Sequence, residues 1–169
     1  MTVQVDLNLV LCLKNAPSCS KIALTFSDPF GLCPEKMRDK DGNCPGGLTV
    51  KEWNKVEESY AHLSRDVRRR TAARLMKGQI HGGSLSSDEY SETDKLNGTD
   101  ITINRDFGLF GRSIFNDPVE LPKSLIHEDQ HVTDLAKRPK YLTPGEAYEA
   151  AIDFYETRAK AAEKREYVP

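Results

Sequence analysis

The chain has 169 residues and a formal net charge of −2, and 38% of its residues are hydrophobic while 30% are charged. This length and composition indicate a soluble chain with one modest hydrophobic core. The nearly balanced charge provides no basic field for nucleic acid or an anionic membrane surface. No apolar run approaches the roughly 20 residues of a membrane span. The sequence therefore predicts neither a nucleic-acid partner nor a membrane-spanning segment.

Residues 1–47 are rich in Cys, Pro and Gly, and we expect them to be distinct from a folded domain over residues 48–169. Hydrophobic and polar residues alternate over residues 3–9, which predicts a strand. A second short strand is predicted over residues 22–26. Proline and glycine divide the rest of this region into turns.

All four cysteines, at positions 12, 19, 33 and 44, lie in this region. The simplest disulfide pattern closes two local loops, Cys12–Cys19 and Cys33–Cys44, and would suit an oxidising compartment. Reduced, structurally neutral thiols are the alternative. A metal site is less favoured because no C-x-x-C spacing is present.

The middle of the chain predicts one long helix, a loop and a short strand. Thr49 and Glu52 fit a capping box, and apolar residues then recur at steps of three and four, which predicts a helix to about Lys77. Residues 78–99 are rich in Gly, Ser, Asp and Asn and are predicted to form a long loop. Residues 101–104 alternate and predict a strand.

Two more helices are predicted in the last third of the chain. The first begins near Asp117–Glu120 and runs to about Lys137, where Pro139 ends it. The second begins at a capping box formed by Thr143 and Glu146, with Pro144 at its first position, and runs to about Arg165.

The first of these helices contains the sequence His127-Glu128-Asp129-Gln130-His131. Residues four apart on a helix project from the same face, so both imidazoles can reach one zinc ion. Glu128 lies beside such a metal, where it can take a proton from a zinc-activated water and return it to the leaving amine. The alternative is an incidental pattern on an ordinary exposed helix.

This H-E-x-x-H pattern resembles the zincin metallopeptidases. Asp134 and Lys137 stand where the metzincin subfamily requires Gly and His, which excludes that subfamily. The chain is more similar to gluzincins, whose third zinc ligand is a Glu from the next helix. Glu149, followed four residues later by Asp153, matches that pattern.

The resemblance therefore implies zinc held by His127, His131 and Glu149, with Glu128 as the general base. Glu146 and Glu156 compete with Glu149 for the third position. Asp153 or Asp134 would accept a hydrogen bond from the remote nitrogen of a histidine ligand.

The same resemblance implies an α+β fold with a short antiparallel sheet, the motif helix and a C-terminal helix. Zincins commonly place an edge strand before the motif helix, where an extended peptide substrate adds a strand. Ile101–Asn104 is the candidate for this edge strand. A tyrosine or histidine often stabilises the oxyanion in such sites, and the candidates are Tyr141, Tyr148, Tyr155 and His81.

Residues 28–32, Asp-Pro-Phe-Gly-Leu, resemble the D-P-x-G-L signature that ends the core of Rhs-type repeat proteins. In that family a variable C-terminal toxin domain follows the signature. The resemblance implies an effector that is secreted or delivered into a target cell and that meets a cognate immunity protein. A simple Asp-Pro turn in a cytoplasmic protein is the alternative.

A non-catalytic binding module is the rival function class. Five arginines, at positions 65, 68, 69, 70 and 74, lie on the first predicted helix and could bind an acidic partner. A solvated helix face with nearby acids explains them more simply. The expected function is zinc-dependent hydrolysis of peptide bonds.

Overall fold

The computed structural model describes residues 33–169. The strands predicted over residues 3–9 and 22–26, the pair Cys12 and Cys19, and the Asp28–Leu32 signature lie outside the described residues.

The described residues form an α+β fold, which confirms the predicted class. Five α-helices are present: α1 Val50–Ser59, α2 Arg65–Met76, α3 Glu120–Leu135, α4 Pro144–Ala150 and α5 Ile152–Glu166. Three short strands form one sheet: β1 Ile80–Gly83, β2 Ser91–Thr93 and β3 Ile101–Asn104. Within residues 33–169, none of the helices combines the length and the apolar character needed to cross a membrane.

The sheet is mixed, with strand order β1-β3-β2, whereas the sequence predicted an antiparallel sheet. β1 runs parallel to β3, and β2 runs antiparallel to it. Both outer strands come from residues 78–99, which were predicted as a loop. Their glycine and serine residues are typical of a loop, so the sequence did not predict these strands. At position 82 a glycine is required by the close approach of a neighbouring side chain. A Cβ atom at Gly82 would lie 2.4 Å from the Arg105 side chain, which crosses there to reach Glu52.

The long helix predicted over residues 49–77 is broken into α1 and α2. Its start is as predicted, because Thr49 and Glu52 form the capping box. At the break between α1 and α2, Leu63 is buried. Residues 166 and 168 pair there with residues 64 and 62. The amide of Ser64 donates to the carbonyl of Glu166 at 3.0 Å, and the amide of Val168 donates to the carbonyl of His62 at 2.9 Å. This tertiary pairing replaces the hydrogen bonds of a continuous helix.

The final helix is also divided, although its predicted capping box between Thr143 and Glu146 is present. Ala151 adopts φ −146° and ψ 36°, which ends α4 and starts α5 in a new direction. Residues before and after Ala151 therefore do not share one helical face. α5 packs along α3.

The main core lies between α1, the sheet and α3. Its buried members include Trp53, Ile103 and Leu125. Cys33 and Cys44 belong to the same core, with relative exposures of 0% and 2%. They form the disulfide that the sequence offered as the simplest pairing for them. This bond fastens the Pro- and Gly-containing segment before α1 to the core.

The disulfide generates the first prediction. Cys33→Ala and Cys44→Ala should each lower the free energy of unfolding by about 3 kcal/mol, because the unfolded chain loses a loop constraint over about a dozen residues. The measurement is urea unfolding of both single variants and of the double variant. The double variant should lose hardly more than either single variant, since one cross-link is removed in all three. Additive losses would contradict a bond between these two residues.

Candidate metal centre

α3 carries more of the buried polar side chains than any other described element, and most of them cluster around the H-E-x-x-H sequence. Four ionisable side chains of this helix are almost fully buried, with exposures between 2% and 8%: Glu128, Asp129, His131 and Asp134. A buried ionisable group destabilises the fold unless it is paired or hydrogen-bonded. The elements that surround these four side chains must therefore supply polar partners.

His127, His131 and Glu156 form a group whose ligand atoms all lie within 4.8 Å of one another. Nε2 of His127 is 3.5 Å from Oε2 of Glu156. Nε2 of His131 is 3.2 Å from Oε1 of the same carboxylate. The two imidazoles come from one face of α3, as the sequence predicted, and the carboxylate comes from α5. Two imidazole nitrogens and one carboxylate are the donor set of many catalytic zinc sites.

The structure does not bring Glu149, the residue favoured from sequence, into this group. Glu149 is exposed on α4, before the break at Ala151. Glu146 is also exposed, and its carboxylate accepts from the Thr143 amide in the capping box. Glu156, the third candidate, is the one that reaches both histidines, because the break gives α5 its own direction along α3.

Glu163 contacts the ring nitrogen of His127 that does not face Glu156. Its Oε1 lies 2.7 Å from Nδ1 of His127, so the Nε2 atom of that ring is left facing Glu156. Such a carboxylate fixes the tautomer and the orientation of a histidine ligand. Sequence reasoning offered Asp153 and Asp134 for this role. Asp153 is exposed, and Asp134 instead accepts from Gln130 and Arg158, each at 2.7 Å.

The surroundings shift the pKa values of the two histidines in opposite directions. Burial by itself would lower the pKa of His127, but the hydrogen bond to Glu163 and the nearby carboxylates outweigh burial and raise it. Burial, together with the charge of His127, lowers the pKa of His131 to about 4. His131 is therefore neutral at pH 7, and a neutral imidazole is the form that binds metal.

Tyr148 completes the group around Glu156. Its hydroxyl donates to Oε1 of Glu156 at 2.6 Å, and its ring meets the His131 ring edge-on at 5.5 Å. Burial would raise the pKa of Glu156, but Tyr148 and the two histidines outweigh it and lower the pKa. Burial and the hydrogen bond to Glu156 raise the pKa of the Tyr148 hydroxyl, which therefore remains a donor.

Among the four candidates for an oxyanion donor, Tyr148 is the one beside the His127, His131 and Glu156 group. Tyr141 is 84% exposed, and Tyr155 lies in a small cluster with Leu135 and Ala147. His81 lies on β1, with Nδ1 3.1 Å from the carbonyl of Gly46.

The carboxylate of Glu128 is held by two hydroxyl groups of β2. Ser91 Oγ donates to Oε1 at 2.7 Å, and Thr93 Oγ1 donates to Oε2 at 2.7 Å. Burial raises the pKa of Glu128, while His127 and the two hydroxyls act in the opposite direction without cancelling the rise. A raised pKa brings a carboxylate closer to the range in which it can take up a proton near neutral pH.

A cleft of about 500 Å³ runs between β2 and the faces of α3 and α5. Its lining includes His127, His131, Glu156, Glu128 and Tyr148. The strand beside the cleft is β2, whereas the sequence nominated Ile101–Asn104. That strand is β3, which lies in the centre of the sheet and has neighbours on both sides. The free edge therefore belongs to residues that were predicted as loop.

Asp129, the neighbour of Glu128, faces α2. Arg70 donates to Oδ2 with Nη2 at 2.6 Å, and Arg74 also pairs with this carboxylate. Two of the five arginines of the basic stretch are therefore committed to an internal ion pair. These contacts fasten α3 to α2 on the side of the helix away from the cleft.

Several residues of the site were missed from sequence: Ser91, Thr93, Glu163, Arg70 and Arg74 as partners of α3. One signal for Glu163 was available, because Glu163 follows Glu156 by seven residues and so lies on the same helix face. The two hydroxyl residues carried no such signal, since their segment has no clear strand pattern.

No protein-family model matches this chain, and neither a curated protein nor a solved structure gives a match. The assignment of the site therefore depends on the sequence motif and on the geometry of the described residues.

The Asp129 ion pairs generate the second prediction. Asp129→Asn should lower the free energy of unfolding by about 3 kcal/mol, because two arginines then lose a buried counter-charge. Asp66→Asn is the control, since Asp66 is exposed and lies 3.8 Å from its partner Arg69. Its loss should remain below about 0.5 kcal/mol. Thermal or urea unfolding measures both, and equal losses would show that Asp129 does not anchor α3.

Proposed function

We propose that this protein is a zinc-dependent peptidase in which His127, His131 and Glu156 hold the metal and Glu128 is the general base. The observation that carries the proposal is the convergence of three ligand atoms on one point beside a buried glutamate that borders a cleft. The H-E-x-x-H motif supplied two of the ligands and the base from sequence. α5 supplies the third ligand in place of Glu149.

The donor set fits zinc. Both histidines offer Nε2, and the neutral form of His131 and the ionised form of Glu156 are favoured by their surroundings. Glu163 orients His127, as carboxylates behind metal-bound histidines do. When bound, zinc would polarise a peptide carbonyl and lower the pKa of a water molecule.

Glu128 and Tyr148 would carry the other two catalytic roles, proton transfer and stabilisation of the oxyanion. Glu128 is placed to accept the proton of the attacking water and to pass it to the leaving amine. Its carboxylate is acceptor-only when ionised, and each oxygen retains a lone pair beyond its bond to a hydroxyl of β2. The hydroxyl of Tyr148 donates its proton to Glu156, and it would serve as the donor to the oxyanion after turning away from that carboxylate.

The free edge of β2 supports an extended peptide as the substrate. In the pairing of β2 with β3, Glu92 lies opposite Thr102. Just outside this pair, the amide of Asn104 donates to the carbonyl of Tyr90. On the other side, the amide of Asp94 donates to the carbonyl of Asp100. In an antiparallel ladder the bonded pairs alternate, so the backbone groups of Ser91 and Thr93 point away from β3. An extended peptide that adds a strand at this edge would lie in the cleft.

An effector setting is a further part of the proposal and depends on the Asp28–Leu32 signature. The Cys33–Cys44 disulfide supports passage through an oxidising compartment. Under this proposal the protein is a secreted or delivered toxin, and its cognate partner is an immunity protein. The alternative function is a non-catalytic module that binds an acidic partner through the arginines of α2. This alternative is weakened because Arg70 and Arg74 pair with Asp129.

The third prediction concerns the ligand set. Glu156→Ala and His131→Ala should each lower zinc affinity by about 100-fold or more, since even outer partners of metal ligands change affinity by about 10- to 100-fold. Glu149→Ala is the matched control, because it removes an exposed glutamate of the neighbouring helix. Competition titration with a chelating dye measures the affinities. A larger loss in Glu149→Ala than in Glu156→Ala would return the role to Glu149.

The fourth prediction concerns the base. Glu128→Gln should keep zinc bound and lower peptide hydrolysis by about 100-fold or more, since the amide cannot accept the proton. Hydrolysis is followed by mass spectrometry of a mixed peptide library, and zinc by elemental analysis. Glu146→Gln changes an exposed glutamate in the same way and should hydrolyse the library at the wild-type rate. Full activity of Glu128→Gln would remove the general-base assignment.

A further inference from the structure

Glu128 is held at two points by a single strand. Its side chain is 3% exposed, and each carboxylate oxygen accepts one hydroxyl hydrogen bond of 2.7 Å. Ser91 and Thr93 are alternate residues of β2, so their side chains lie on the same face of the sheet. One hydrogen bond would leave a carboxylate free to rotate about it, whereas one bond on each oxygen fixes its plane.

The neighbouring carboxylate shows what a purely structural anchor looks like on this helix. Asp129 is 2% exposed and is neutralised by two guanidinium groups. Glu128 is as deeply buried, yet its donors in the described residues are neutral hydroxyls. Guanidinium groups bind a carboxylate through charge-assisted bonds, which suit a permanent anchor between two helices. Neutral hydroxyls hold the group in place without bringing a positive charge of their own.

We propose that Ser91 and Thr93 are positioning residues that hold the Glu128 carboxylate in the orientation needed to take a proton from the attacking water. This inference rests on the proposed peptidase function. The same two residues direct their backbone groups toward the free edge of β2. The three-residue strand thus orients the base through its side chains and faces the substrate with its main chain.

The test is a set of hydroxyl deletions with conservative counterparts. Ser91→Ala and Thr93→Val should each lower kcat by about 10- to 100-fold, the effect of one hydrogen bond to a charged group. KM and zinc content should stay within about twofold of the wild type, because substrate edge and ligands are unchanged. Thr93→Ser and Ser91→Thr keep a hydroxyl and should recover most of the rate.

Thr102→Val is the matched control. It removes a hydroxyl from β3, opposite Glu92 and on the other face of the sheet from Ser91 and Thr93. Its kcat should equal that of the wild type. A positioning role also predicts an effect without turnover: the carboxyl ¹³C resonance of Glu128, assigned by its loss in Glu128→Gln, should move in Ser91→Ala and Thr93→Val. The Glu128 resonance should keep its wild-type position in Thr102→Val. All of these spectra are recorded on metal-free protein.

The outcomes separate this inference from the function on which it rests. If the wild type hydrolyses peptides and Ser91→Ala and Thr93→Val do so at the same rate, the positioning role is overturned. The peptidase proposal then still stands. Loss of turnover that follows loss of zinc or of folding would also overturn it. Absence of hydrolysis by the wild type would overturn the peptidase proposal, and the ¹³C shifts would then decide alone whether the hydroxyls hold Glu128.

Discussion

The structure depends on the satisfaction of the buried polar groups of α3. Glu128, Asp129, His131 and Asp134 lie within two turns of one helix and are all almost inaccessible to solvent. Leaving any of them without a partner would cost a large part of the marginal stability of a domain of this size. Three elements supply partners: hydroxyls come from β2, arginines from α2, and a carboxylate and an arginine from α5. Nδ1 of His131 is buried without a hydrogen-bond partner among the described residues. The packing of the fold and the assembly of the site are therefore one problem.

The partners differ in a way that matches their distance from the cleft. Away from it, Asp129 and Asp134 are paired with guanidinium groups, which fasten α3 to α2 and α5. At the cleft, the contacts of the histidines and Glu128 are with carboxylates, hydroxyls or a phenol. Pairing with guanidinium groups thus serves the attachment of α3, while the groups at the cleft have no guanidinium partner within residues 33–169.

The sequence predicted the features that depend on local spacing. The helical position of His127 and His131, both capping boxes and the α+β class follow from short-range patterns and are present. The features that failed depend on contacts distant in sequence. The break at Ala151 decides which glutamate faces α3, and the docking of the chain end divides the first helix. β2 is recognisable as a strand through its pairing with β3, because Ser91–Thr93 is too short and polar to show a pattern.

The burial of the Cys33–Cys44 bond has a kinetic consequence. Both residues lie in the main core, so a thiolate from solvent cannot approach either sulphur while the core is closed. Thiol–disulfide exchange requires direct attack on a sulphur atom. The lifetime of the bond in a reducing compartment then depends on how often this part of the core opens as well as on the thiols in its surroundings. Reduction of the Cys33–Cys44 bond should therefore be slower in the folded protein than in the unfolded chain at the same thiol concentration.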